Sequence, residues 1–119
     1  FLFVALGGAL GAVLRYAISL IPVKTDFPIL TLVTNIVGAV AIGFIVGIVS
    51  EKENTSPNTV LFWKTGVCGG FTTFSTFSLE AVTLFENKMY CLGGLYVALS
   101  VAFCLLGVFC GKRLASVVA

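Results

Sequence analysis

The sequence predicts an all-α integral membrane fold: a single transmembrane domain over 1–119, with four spanning helices and the third of them broken near the midplane. Three observations carry this prediction. Only 10% of the 119 residues are charged, against about 25% in a soluble domain. Hydrophobic residues make up 59% of the chain, and its mean hydropathy is +1.13, so lipid is the natural solvent for most of its surface. At roughly 20 apolar residues per bilayer crossing, the chain has room for about four spans and little else. Finally, a run rich in Gly, Thr and Ser interrupts the third apolar stretch.

The first span is expected over about 2–21, ending at Pro22. It lacks the basic start of a secretory leader and carries Arg15 inside it, so it is expected to be a span rather than a signal peptide. A short turn, Val23-Lys24-Thr25-Asp26-Phe27, leads to a second span over about 28–49, with Pro28 suited to a first helical turn. The stretch from Ser50 to Asn58 holds Glu51, Lys52, Glu53 and Pro57 and reads as a water-exposed loop. The third span is expected over 60–86, with Trp63-Lys64 as an interfacial anchor and a break near 69–76. A turn at Asn87-Lys88 leads to the fourth span, 91–111, closed by Lys112-Arg113.

Loops this short make successive helices antiparallel. The pairs Gly7/Gly11, Gly43/Gly47 and Gly107/Gly111 let helices approach closely. With antiparallel spans, Lys52, Lys64, Lys112 and Arg113 fall on one side of the membrane and Lys24 and Lys88 on the other. This modest bias mildly favours cytoplasmic termini and leaves insertion in both directions open.

The informative stretch is Gly69-Gly70-Phe71-Thr72-Thr73-Phe74-Ser75-Thr76-Phe77-Ser78. Two adjacent glycines weaken a helix by about 1 kcal/mol each, and β-branched threonines add to that cost. The helix is expected to break here, which at membrane depth requires protein or a water-filled cavity beside the freed main chain. The alternative is a continuous helix whose Ser and Thr side chains bond to the preceding turn.

Other polar residues fall near the same depth. Asn35 cannot leave its amide in lipid, and Thr31 lies one turn earlier on the same face. Tyr96, Ser100 and Cys104 recur at i, i+4 and i+8, one polar stripe on an apolar helix. That stripe is either a functional track or ordinary interhelical hydrogen bonding. Arg15, about 9 Å of helix rise from the end of its span, either snorkels to the interface or has a buried structural role. Glu80 lies deeper and requires a partner or water.

Several function classes are disfavoured. There is no histidine, which removes the commonest general base and metal ligand; with no catalytic constellation or phosphate loop, an enzyme is not expected. The net charge of +2 is scattered, which does not suit nucleic acid. Cys68, Cys91, Cys104 and Cys110 form no CxxC pair and read as free thiols acting as small hydrophobes.

Taken together, Gly7 to Tyr16 (GGALGAVLRY), Thr31 to Asn35 (TLVTN) and above all Gly69 to Glu80 (GGFTTFSTFSLE) resemble the Fluc (CrcB) family of fluoride channels. The resemblance covers essentially the whole chain, with Cys104 standing where a serine is expected. It implies an antiparallel, dual-topology homodimer of inverted subunits in the cell membrane, with two pores along the interface and passive fluoride export that confers fluoride resistance. In that reading Asn35, Phe74 and Phe77 contact fluoride, while Tyr96, Ser100, Thr76 and Ser75, near Thr31, line a polar track. Gly69 and Thr72 would give backbone carbonyls to a central sodium ion. The competing reading is a small four-helix multidrug/proton antiporter, but such proteins need an acid deep in the first span, where this chain has Arg15. A non-transporting accessory protein would leave the interruption without a purpose.

Overall fold

The computed structural model describes residues 1–119. It is all helical, without strands, and measures 52 × 29 × 21 Å along its principal axes. Helix α1 runs Leu2–Ser19 and α2 runs Ile29–Glu51. The next element, α3 (57–71), opens with an α-helical turn, Pro57–Val60, widens into a π-helix, Leu61–Cys68, and closes with Gly69–Phe71. Helix α4 is Phe74–Glu86 and α5 is Tyr90–Val118. Three helices, α1, α2 and α5, are long and apolar enough to cross a membrane.

The third hydrophobic stretch is split, but not at the glycines. Gly69 keeps helical angles (φ −65°, ψ −37°), and the chain leaves the helix only at Thr72 (φ −83°, ψ 156°) and Thr73 (φ −149°, ψ 119°). The expected break near 69–76 is therefore confined to these two extended residues, and Ser75 and Thr76 belong to the first turn of α4. Gly70 serves another purpose: a Cβ there would run into the Gly8 carbonyl, so its lack of a side chain lets α3 lie directly on α1, whereas a Cβ on Gly69 would meet nothing.

The other boundaries differ modestly from the sequence expectation. The helix at 57 starts earlier because Pro57 occupies its first turn, where a missing N–H costs nothing. Helix α5 continues past Lys112-Arg113 to Val118, since Lys, Arg, Leu and Ala are all good helix formers.

Packing follows the glycines. The first half of α3 lies against α1, where a Cβ on Gly11 would enter the Val67 carbonyl and meet the Phe71 nitrogen at 2.7 Å. Helix α5 lies along α2, with Gly43 under the Val108 carbonyl and Gly111 under that of Val40. A small core of Leu32, Phe77, Ala81, Leu84 and Tyr96 joins α4 to α2 and α5. Only 20 of the 119 residues are buried, and the large apolar side chains turned outward suit lipid or another protein surface rather than water.

Helix α4 ends in a Schellman arrangement. The amide of Lys88 donates to Phe85 and that of Met89 to Leu84, while Lys88 takes a left-handed conformation (φ 63°) that usually calls for glycine. Met89 packs against the core cluster to which Leu84 belongs, in keeping with the hydrophobic contact that accompanies this motif.

Candidate functional site

Opening a helix at Thr72–Thr73 frees main-chain groups on both sides, and the chain answers some of them. On α1, Arg15 Nε donates to the Gly70 carbonyl at 3.1 Å; the side chain braces the end of α3 rather than snorkelling. On α2, Asn35 pairs with the main chain of Thr73 twice. Its Nδ2 donates to the Thr73 carbonyl at 3.0 Å, and its Oδ1 accepts from the Thr73 N–H at 2.8 Å. An amide side chain thus replaces the ladder partners that a continuous helix would have given Thr73. One Nδ2 hydrogen remains for another acceptor.

Thr73 also caps α4, its Oγ1 accepting from the Thr76 N–H at 3.1 Å and lying 3.3 Å from the Ser75 hydroxyl. Thr72 turns its own hydroxyl back to the Cys68 carbonyl at 2.9 Å. Two kinds of group stand open at the break. The Thr72 carbonyl receives no donor from the chain, the Gly69 carbonyl has lost to Asn35 the Thr73 N–H that a continuous helix would give it, and the amides of Phe74 and Ser75 stand at the open first turn of α4. The first pair lies at the negative end of a half-helix and the second at the positive end of the next. The site therefore offers an oxygen-rich spot for a cation next to N–H groups suited to an anion.

Two spaces adjoin the break. A groove of about 680 Å³ runs between α2, α3 and α5, bordered by Asn35, Gly69, Thr72, Phe74, Phe77 and Ser100. On the other side, a niche of about 60 Å³ is bordered by Arg15, Ser19, Thr31, Thr34, Thr73 and Thr76. Thr73 borders both.

The rings of Phe74 and Phe77 stand 5.4 Å apart and tilted by 49°. Phe77 is buried at 8% exposure, whereas Phe74 is 78% exposed and stands out from the rest of the chain. Ser100, only 7% exposed, has a buried hydroxyl oxygen with no hydrogen-bond partner.

The fourth-segment stripe does not act as one surface. Ser100 and Cys104 border the groove, but Tyr96 is fully buried outside it. Its ring packs on Phe77 (5.1 Å) and edge-on to Phe27 (5.6 Å), and its hydroxyl donates to Glu80 Oε1 at 3.0 Å. Glu80 thus has the partner its depth requires. Among the expected site residues, Asn35, Gly69, Thr72, Phe74, Phe77 and Ser100 meet at the groove. Thr31, Thr76 and Arg15 gather at the niche, and Tyr96 and Glu80 form a support behind Phe77. Thr73 was not singled out by sequence reasoning, yet it receives the bonds from Asn35, caps α4 and borders both spaces; its place next to Thr72 in a doubled threonine after two glycines was the available signal.

Comparison with known proteins agrees with this site's motifs. The family model described as "CrcB-like protein, Camphor Resistance (CrcB)" matches residues 2–112. A protein of Ruminiclostridium cellulolyticum named fluoride-specific ion channel FluC is 44% identical over 119 residues, covering 98% of this chain and 92% of its own length. Relatives of the same name from Flavobacterium psychrophilum (41% identical; 95% and 94% covered) and Rhizobium etli (45%; 92% and 90%) are similarly complete. Matched nearly end to end by that family model and by such relatives, the chain belongs to the CrcB family.

Proposed function

We propose that this protein is a fluoride-selective channel of the cell membrane, a multi-pass protein that lets fluoride leave the cytoplasm passively and catalyses no reaction. The observation that carries the mechanism is the opening of the third segment at Thr72–Thr73, with the carbonyls and amides it opens and the unpartnered Ser100 hydroxyl beside one groove. Such groups cannot face lipid. A passage satisfies them, and with α3 and α4 together crossing the bilayer the chain has four spans.

Fluoride is small and strongly hydrated, so it leaves water only for closely spaced donors. The remaining Nδ2 hydrogen of Asn35, the hydroxyls of Ser100, Ser75 and Thr76, and the amides at the start of α4 are neutral donors. They bind an anion without the trap that a fixed positive charge would set, and conduction needs binding that can be released. Phe74 and Phe77 offer ring edges, the positive part of the aromatic quadrupole, and narrow the path for larger halides. Thr31 and Thr76 at the niche, with the Arg15 guanidinium, give the anion an approach to the break from its other side.

The open groove and the outstanding ring of Phe74 are covered, in this reading, by a second copy of the chain in inverted orientation, giving a dual-topology homodimer. The weak charge asymmetry between the two membrane faces supports insertion in both directions. At the dimer centre the carbonyls of Gly69 and Thr72, left open by the break, form a donor set of neutral oxygens that fits a sodium ion. When bound, the ion supplies a positive charge that offsets the carbonyl dipoles of the two facing half-helices. A proton-coupled drug antiporter requires a free acid on the path; here Glu80 is engaged by Tyr96, and α1 carries no acid.

The test is purified protein in liposomes, with efflux followed by a fluoride electrode beside a chloride control. Fluoride leaves rapidly and chloride is retained if the proposal is right. Equal loss of both, or proton movement that depends on a cationic drug, contradicts it.

A further inference from the structure

We infer that Cys104 is a modification site inside the groove: a thiol that a small thiol-directed electrophile reaches from the passage and whose capping obstructs fluoride. This rests on the channel reading above.

Of the four free cysteines, Cys91 and Cys110 do not border the groove. Cys68 borders it but is 4% exposed, and Cys104 borders it while only partly buried. Cys104 follows Ser100 by one turn of α5, which puts the two side chains on one face of the helix. Ser100 supplies the independent sign that this face meets a ligand. The hydroxyls of Thr72, Ser78 and Thr83 return to the carbonyl one turn back. The buried Ser100 hydroxyl makes no such bond, so its hydrogen-bonding capacity remains for whatever occupies the groove. Ser100, Cys104 and Val108 follow one another at one-turn intervals along the groove wall, so a molecule that enters from the Val108 end meets the Cys104 sulfur before Ser100.

Thiol chemistry requires the thiolate, which forms only where water can take the proton, so reactivity at Cys104 also reports a wet groove. The probe is methyl methanethiosulfonate, neutral and small. The Cys104 thiolate attacks its sulfenyl sulfur, a new S–S bond forms, and the bond to the sulfonyl sulfur breaks. Methanesulfinate leaves with the electron pair, and the thiol proton goes to water. The added S–CH₃ group projects into the space beside Ser100 and Phe77.

The experiment uses the full chain in liposomes and refers each variant's fluoride efflux to its own untreated rate. The reagent is expected to remove most of the flux of the wild type, dithiothreitol to restore it, and high fluoride to slow the block. Cys104→Ser is expected to resist the reagent, while a chain carrying Cys68→Ser, Cys91→Ser and Cys110→Ser together stays sensitive. Equal block of Cys104→Ser and wild type, or a resistant triple variant, overturns the inference. Peptide mass spectrometry of the same liposomes separates the two proposals. A labelled Cys104 in a chain that moves no fluoride leaves the thiol site standing and sinks the channel reading. An unlabelled Cys104 in a conducting chain does the reverse.

Discussion

Replacing Asn35 with alanine removes the one side chain that holds both main-chain groups of Thr73. Each of the two hydrogen bonds contributes about 1 kcal/mol net, and a buried donor or acceptor left unpaired costs about 1–3 kcal/mol. Thr73 would lose a partner on its N–H and on its C=O, and Asn35 is only partly buried, so some of the loss is recovered by water. The expected destabilisation is about 2–4 kcal/mol. Asn35→Asp is the sharper variant: a carboxylate still accepts from the Thr73 N–H but confronts the Thr73 carbonyl with negative charge. It should unfold at least as easily as the alanine variant, and it should carry no fluoride, because the charge stands on the anion's path. Unfolding in mixed detergent micelles, followed by the fluorescence of Trp63, the chain's single tryptophan, measures the first effect; liposome efflux measures the second. An Asn35→Ala protein within about 0.5 kcal/mol of the wild type, the range of an uninvolved surface change, would refute the bracing role.

Four further outcomes follow from the packing. Lys88→Gly relieves a left-handed residue at the end of α4 and should stabilise the protein by about 1 kcal/mol, read by the same unfolding assay. Gly11→Ala drives a methyl into the Val67 carbonyl and should cost about 1–3 kcal/mol. Gly94→Ala meets nothing within 4 Å and should instead gain up to about 1 kcal/mol from helix propensity. Tyr96→Phe deprives Glu80 of its hydroxyl donor and should cost about 1.5–3 kcal/mol, the range for a hydrogen bond to a charged group; no change in unfolding would mean that Glu80 is satisfied by water.

Much of the fold was legible because membrane solvation writes itself into composition. Apolar runs long enough to span mark α1, α2 and α5, and the polar interruption marks the third segment. The location of the break was legible only to within a few residues. Local propensity points to Gly69-Gly70, but tertiary contacts decide otherwise. Gly70 is held helical against α1, with Arg15 on its carbonyl, and the chain opens where Asn35, 38 residues away in sequence, offers substitute partners. Nothing near Thr73 encodes that partner. The same reason hides the Tyr96–Glu80 pair: the i, i+4 spacing aligns Tyr96 with Ser100 but says nothing of the Phe77 ring that packs on Tyr96 or of the Glu80 carboxylate that receives its hydroxyl. The π-helical segment Leu61–Cys68 also has no signature in its residues; its wide turns accompany close seating of glycines on α1.

The central claim is that water and fluoride reach an open main chain at Thr72–Thr73 in the middle of the bilayer. Amide hydrogen exchange of the protein in lipid nanodiscs tests it at single residues. Phe74 and Ser75, whose N–H groups open the first turn of α4 ahead of its own hydrogen-bond ladder, should exchange like loop amides and slow when fluoride is added, while Ala81 in the same helix stays protected. Phe74 and Ser75 as slow as Ala81, and indifferent to fluoride, would contradict the account.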